Sequence, residues 1–126
     1  MEKSGQLRLF DSEFPLTDNI FIRIFNGHTL GLAVGLIRFK NSTIVNISDL
    51  IPLAGNIPLS WISGYDTNPL NSLTEKQQFL EESVKNNYVY FFYHDAEREC
   101  CSLKQTPKGI RMNKTFTLKE LSSEDL

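Results

Sequence analysis

Histidine and cysteine are scarce in this 126-residue chain, with two of each. The cysteines, Cys100 and Cys101, are adjacent, and neighbours cannot close an ordinary disulfide without strain. A disulfide framework is therefore excluded, and two reduced thiols on a strand would face opposite sides of a sheet. No apolar run approaches the roughly 18 residues that cross a bilayer, so no membrane span is expected. Charge of one sign is not in excess: 13 basic against 15 acidic side chains leave no broad basic footprint, so no nucleic-acid partner is expected. The opening residues, Met-Glu-Lys-Ser-Gly-Gln, have no apolar signal core, and the expected compartment is the cytoplasm. Asn-x-Ser/Thr triplets at Asn41, Asn46 and Asn113 are then chance matches.

What the chain does contain is a core. Nine phenylalanines, four tyrosines and a tryptophan, with many Ile, Leu and Val, exclude disorder, and the length suits one domain over residues 1–126. The first part reads as closely spaced strands with polar turns. Leu7–Phe10 is short and alternating, Ile20–Phe25 sets three isoleucines against Phe, Arg and Phe, and Asn26-Gly27 is a turn dipeptide. Leu30–Phe39, interrupted by Gly31 and Gly35, leads through Lys40-Asn41-Ser42 into Thr43–Ile47. Such spacing predicts antiparallel pairing. From Leu50 to Asn71 prolines break any long element; this apolar loop should pack across an end of the sheet through Leu59 and Trp61.

A helix is predicted over Leu73–Asn86, with Ser72 as N-cap and Glu75 completing a capping box. Tyr88–Tyr93 follows as a strand buried on both faces. Cys100–Gln105 and Ile110–Asn113 flank the turn Thr106-Pro107-Lys108-Gly109, and Thr117–Leu121 forms a last helical turn before an acidic end. The expectation is an α/β fold: a mixed, antiparallel-rich sheet of six or seven strands with one main helix.

Chemistry concentrates at three strand ends. His28 follows Ile20–Phe25, Asp49 follows Thr43–Ile47, and His94 ends Tyr88–Tyr93. Ligands gather where strands of α/β sheets end, and imidazole with carboxylate is the usual donor set for zinc and similar ions. Each residue taken singly reads first as an ordinary polar side chain at a strand end, and the spacing alone is no metal signature.

Gly27-His28-Thr29, Ser48-Asp49-Leu50-Ile51-Pro52 and Phe92-Tyr93-His94-Asp95, in that order, resemble the C-terminal half of a metallo-β-lactamase-superfamily hydrolase. Ile57-Pro58-Leu59-Ser60-Trp61, Gly64-Tyr65-Asp66 and Pro69-Leu70 between them are similar to an uncharacterised bacterial branch with lactonase-like ligand spacing. So is the tail from Glu99 to Phe116. The resemblance implies half of an αβ/βα sandwich. It also implies that His28 binds one divalent metal such as zinc, His94 a second, and Asp49 bridges them. A hydroxide shared by two such ions would attack an ester, lactone or amide of a small-molecule substrate.

The family's other ligands belong to a His-x-His-x-Asp-His motif, and no histidine precedes His28. Three ligands leave two metals underligated, and half a sandwich leaves one sheet face bare. A homodimer, or a chain supplying the missing half, would cover it. The alternative is a catalytically inert half-domain acting as a structural or interaction module. In either case His28, Asp49 and His94 should converge, with donor atoms about 3–4 Å apart around an ion.

Overall fold

The computed structural model describes residues 2–123. A seven-stranded sheet runs in strict chain order: β1 (Phe14–Pro15), β2 (Ile20–Phe25), β3 (Leu32–Phe39), β4 (Ser42–Asn46), β5 (Val89–Phe91), β6 (Cys100–Thr106) and β7 (Gly109–Phe116). Every neighbouring pair is antiparallel except β4 and β5, which are parallel. Parallel strands need a long crossover. Here it carries 3-10 turns at Ser48–Leu50 and Ala54–Asn56 and then α1 (Pro69–Lys85).

Helix α1 covers one face of the sheet. Alternation along β2 and β3 sends Phe25, Leu32, Val34 and Leu36 into the core with Val45, Phe79, Leu80 and Tyr90. Phe79 meets Phe25 edge-on at 5.4 Å and lies parallel to Tyr90 at 6.2 Å. The Tyr90 hydroxyl, wholly buried, donates to Ser83 Oγ at 2.8 Å, and Ser83 donates to the Phe79 carbonyl. On the opposite face α2 (Leu118–Ser123) lays Leu121 over Val89 and Cys100. Cys101 belongs to the α1 side, so the adjacent cysteines serve different cores. Burial pushes both thiols up to about 12. Ile20, Ile22 and Ile24 of β2 and Ile37 and Phe39 of β3 point away from α1, are half-buried, and belong to neither core among the described residues.

The α/β class, the antiparallel-rich sheet and the single main helix agree with expectation, whereas several local readings do not. Leu7–Phe10 is no strand: the outer edge of β2 pairs with Phe14–Pro15, and Phe10 instead stacks on Phe14 at 5.2 Å. Strand β3 starts at Leu32, because Gly31 turns the chain with φ of 78°. Only Val89–Phe91 of the run Tyr88–Tyr93 is strand. Helix α1 begins four residues before the expected Leu73, at Pro69, whose missing N–H and fixed φ suit the first turn. Its cap is Asn68, which accepts from the Asn71 N–H at 3.2 Å, not Ser72. Trp61 lies two-thirds exposed (65%), so Leu59, Ile51 and Ile57 pack the crossover loop down instead. The acidic end beyond Ser123 lies outside the described residues.

Candidate metal centre

Strand direction places the three residues together. Strands β2, β4 and β5 run the same way, since β3 reverses once between β2 and β4, so their C-terminal ends share one edge of the sheet. His28, Asp49 and His94 each follow one of these ends by a few residues.

The His28 loop is tied down by main-chain bonds. Asn68 N–H donates to the Gly27 carbonyl at 2.9 Å, and Thr67 donates to the His28 carbonyl through both N–H and hydroxyl at 2.9 Å. The Glu75 carboxylate, in the second turn of α1, accepts from the N–H groups of Asn26 and Gly27 at 2.8 and 2.9 Å. The glutamate read as half of a capping box therefore fastens the end of β2 to the helix. His28 Nδ1 lies 2.7 Å from Asp66 Oδ1, and the Asp66 side chain is only 4% exposed. A carboxylate on Nδ1 holds a histidine's tautomer and turns Nε2 outward as the free donor atom.

Asp49 sits in the 3-10 turn after β4, which Ser48 enters with φ of 53°. That left-handed conformation is uncommon for serine and redirects the chain sharply. His94 follows β5 with its ring 4.2 Å from Tyr93. Its neighbour Asp95 accepts N–H bonds from Ala54, Glu97 and Arg98, each at 3.0 Å. Desolvation pushes the Asp95 carboxyl up, but these bonds and the Arg98 charge outweigh it and leave it below the usual range.

The three predicted residues do converge. His28 Nε2 lies 3.6 Å from Asp49 Oδ2, and His94 Nε2 lies 3.1 Å from Asp49 Oδ1. Each carboxylate oxygen thus faces one imidazole. Two donors on a tetrahedral zinc, at bonds of about 2.0–2.1 Å, stand roughly 3.4 Å apart, between the two separations. The donors match a divalent ion in kind and spacing, and they fall short in number. Among the described residues no group of three or more His, Cys, Asp or Glu is placed to hold an ion by itself. A cavity of about 600 Å³ opens beside them, walled by Leu53, Asn56, Ile62 and Tyr65.

Sequence reasoning assigned no role to Asp66, Glu75 or Asp95 at this site. Asp66 and Asp95 stood inside the motif blocks, Asp95 directly after His94 and Asp66 in Gly64-Tyr65-Asp66, each without a role of its own.

No protein-family model matches the chain, and no curated protein matches it in sequence. Solved structures do. A probable metal-dependent hydrolase from Staphylococcus aureus superposes with a TM-score of 0.77 at 23% identity, over 90% of this chain and 42% of its own. AidC, a dizinc quorum-quenching lactonase, gives 0.74 at 20% identity, over 90% of this chain and 40% of its own. The hydrolase AbOPH of the beta lactamase superfamily gives 0.63 at 16% identity, over 75% of this chain and 34% of its own. The chain spans less than half the length of each. The resemblance read from the three motifs thus holds at the level of architecture: the chain has the fold of the metallo-β-lactamase-superfamily hydrolases over the part of their length that it spans.

Proposed function

We propose that this chain supplies part of the active site of a metal-dependent hydrolase acting on an ester, lactone or amide. The observation that carries the reading is the placement of one imidazole Nε2 against each oxygen of Asp49. His28 and His94 would each hold one divalent ion, with Asp49 bridging. Zinc is the first choice for this nitrogen and oxygen donor set, and AidC is a dizinc enzyme. When bound, the ion pair supplies a hydroxide at neutral pH. The chain's own part is to fix the donors: Asp66 holds the His28 ring, and the Glu75 bonds hold the loop that carries it. The remaining ligands come from a second copy or from a chain that carries the other half of the sandwich. The half-buried isoleucines of β2, with Ile37 and Phe39, are the surface for that contact.

The test is zinc titration of the purified chain together with hydrolysis of a simple lactone and a simple ester. Zinc bound by wild type and lost on replacing His28, with turnover only when a complementing half is added, supports the proposal. Absence of zinc binding in every combination overturns it. The second reading, a catalytically inert module of this fold, is favoured by the shortage of ligands among the described residues. It predicts partner binding without turnover.

A further inference from the structure

The most deeply buried charge among the described residues takes no part in the donor set. Lys76 of α1 is 1% exposed, and among the described residues no carboxylate lies in contact with its ammonium. Four main-chain carbonyls converge on it instead: Asn56 at 2.5 Å, Pro58 at 2.8 Å, Trp61 at 2.9 Å and Leu59 at 3.3 Å. An unpaired charge is tolerated inside a protein only when its hydrogen-bonding capacity is met. Here four acceptors face three N–H bonds. All four lie in one short loop, so the loop has turned its carbonyls inward around a cation, as the carbonyl rings of potassium filters do. Burial pushes the Lys76 ammonium down to about 8, against the pull of the Asp66 charge, so it is enclosed yet still mostly protonated at neutral pH.

We propose that residues 56–61 form a carbonyl cage for a monovalent cation, that Lys76 fills it with its own ammonium, and that this fixes the cavity wall beside His28. Asn56, one of the cage residues, and Ile62, the residue after it, both line that cavity. Lys76 is a positioning residue in this account and touches no substrate. The cage itself stands on the hydrogen bonds alone, whereas its effect on metal affinity rests on the proposed metal site.

Two measurements test the proposal. In wild-type protein labelled with nitrogen-15, one lysine ammonium should give a signal whose protons exchange slowly with water. Absence of any such protected signal overturns the cage. Lys76→Ala is then compared in ammonium chloride and in tetramethylammonium chloride, whose cation is too large to enter. Trp61, the single tryptophan, reports on the loop through its fluorescence. In the tetramethylammonium salt the variant should melt about 10 °C below wild type, with a shifted emission. Ammonium at roughly 0.5 M should restore about half of both changes by mass action. Equal behaviour in the two salts, or no change from wild type, overturns the proposal. If the variant folds in neither salt, the wild-type signal decides. Zinc affinity should fall about tenfold in the variant and recover with ammonium. An unchanged affinity overturns the positioning role. If wild type binds no zinc at all, the metal reading fails while melting and fluorescence still judge the cage.

Discussion

Replacing Gly27 with alanine should cost a large part of the protein's stability, although the new methyl adds only one carbon. A Cβ built on Gly27 lies 2.4 Å from Ser72 N, Cα and Oγ, where ordinary contact begins at 3.4 Å. The Ser72 hydroxyl could swing aside, but N and Cα belong to the first turns of α1, so the helix itself must withdraw by about 1 Å. That withdrawal stretches the Asn68–Gly27 bond and the two bonds from Asn26 and Gly27 to Glu75. Overpacking of this kind costs about 1–3 kcal/mol. Loss of one bond to a charged carboxylate adds about 1.5–3 kcal/mol. The sum, about 2.5–6 kcal/mol, compares with about 5–15 kcal/mol for the total stability of a domain. Urea unfolding followed by circular dichroism measures it directly. Ser72→Ala is the control. The Ser72 hydroxyl is buried without a hydrogen-bond partner, so its removal alone should be neutral or mildly stabilising. The double variant should regain no more than about 1 kcal/mol, because the backbone clash remains. A Gly27→Ala protein within about 1 kcal/mol of wild type, or full recovery through Ser72→Ala, would refute the argument.

Asp95→Ala should cost about 2–4 kcal/mol at neutral pH, because three N–H groups lose a charged acceptor. Since the folded carboxyl sits below 3.8, this contribution is complete above that value and disappears as pH falls through the folded pKa. Acid unfolding curves of wild type and variant should therefore converge at low pH; a gap that persists there contradicts the assignment. His94→Ala should leave urea stability within about 0.5 kcal/mol, since its side chain is half exposed (52%), and should abolish zinc binding in a titration. An unfolded variant would make the imidazole a structural residue. Sedimentation of the chain at micromolar concentration should show a dimer or larger species, through the half-buried faces of β2 and β3 turned away from α1; a lone monomer with no apolar surface exposed would count against that contact.

Reading the sequence located β2, β4 and the helix through periodicity, because hydrophobic spacing and turn residues act locally. It placed His28, Asp49 and His94 at strand ends, and their convergence then followed from strand direction. What stayed hidden depended on contacts across the fold. The helix start was misplaced because Ser72 and Glu75 match a capping box by spacing, while Glu75 is claimed by N–H groups some fifty residues away. Trp61 was expected inside because it is large and apolar. The space beneath its loop is occupied by an ammonium that recruits carbonyls, and no periodicity announces such a lysine. Asp66 is only part of the Gly64-Tyr65-Asp66 block in sequence, because its partner His28 lies 38 residues away and meets it only through the fold.

The parallel pairing of β4 with β5 also bears on how the molecule assembles. Among the described residues every other strand pair joins chain neighbours and can zip as a hairpin, whereas Ile44 must find Val89 across the whole crossover. Closing so long a loop is entropically late, so β1–β4 and β5–β7 form two locally built units that dock last. His28 and Asp49 travel with the first unit and His94 with the second. An ion gripped by Asp49 and His94 would therefore clasp the seam that closes last. It would act on the rate of coming apart, lengthening the native lifetime, and leave the rate of folding almost unchanged.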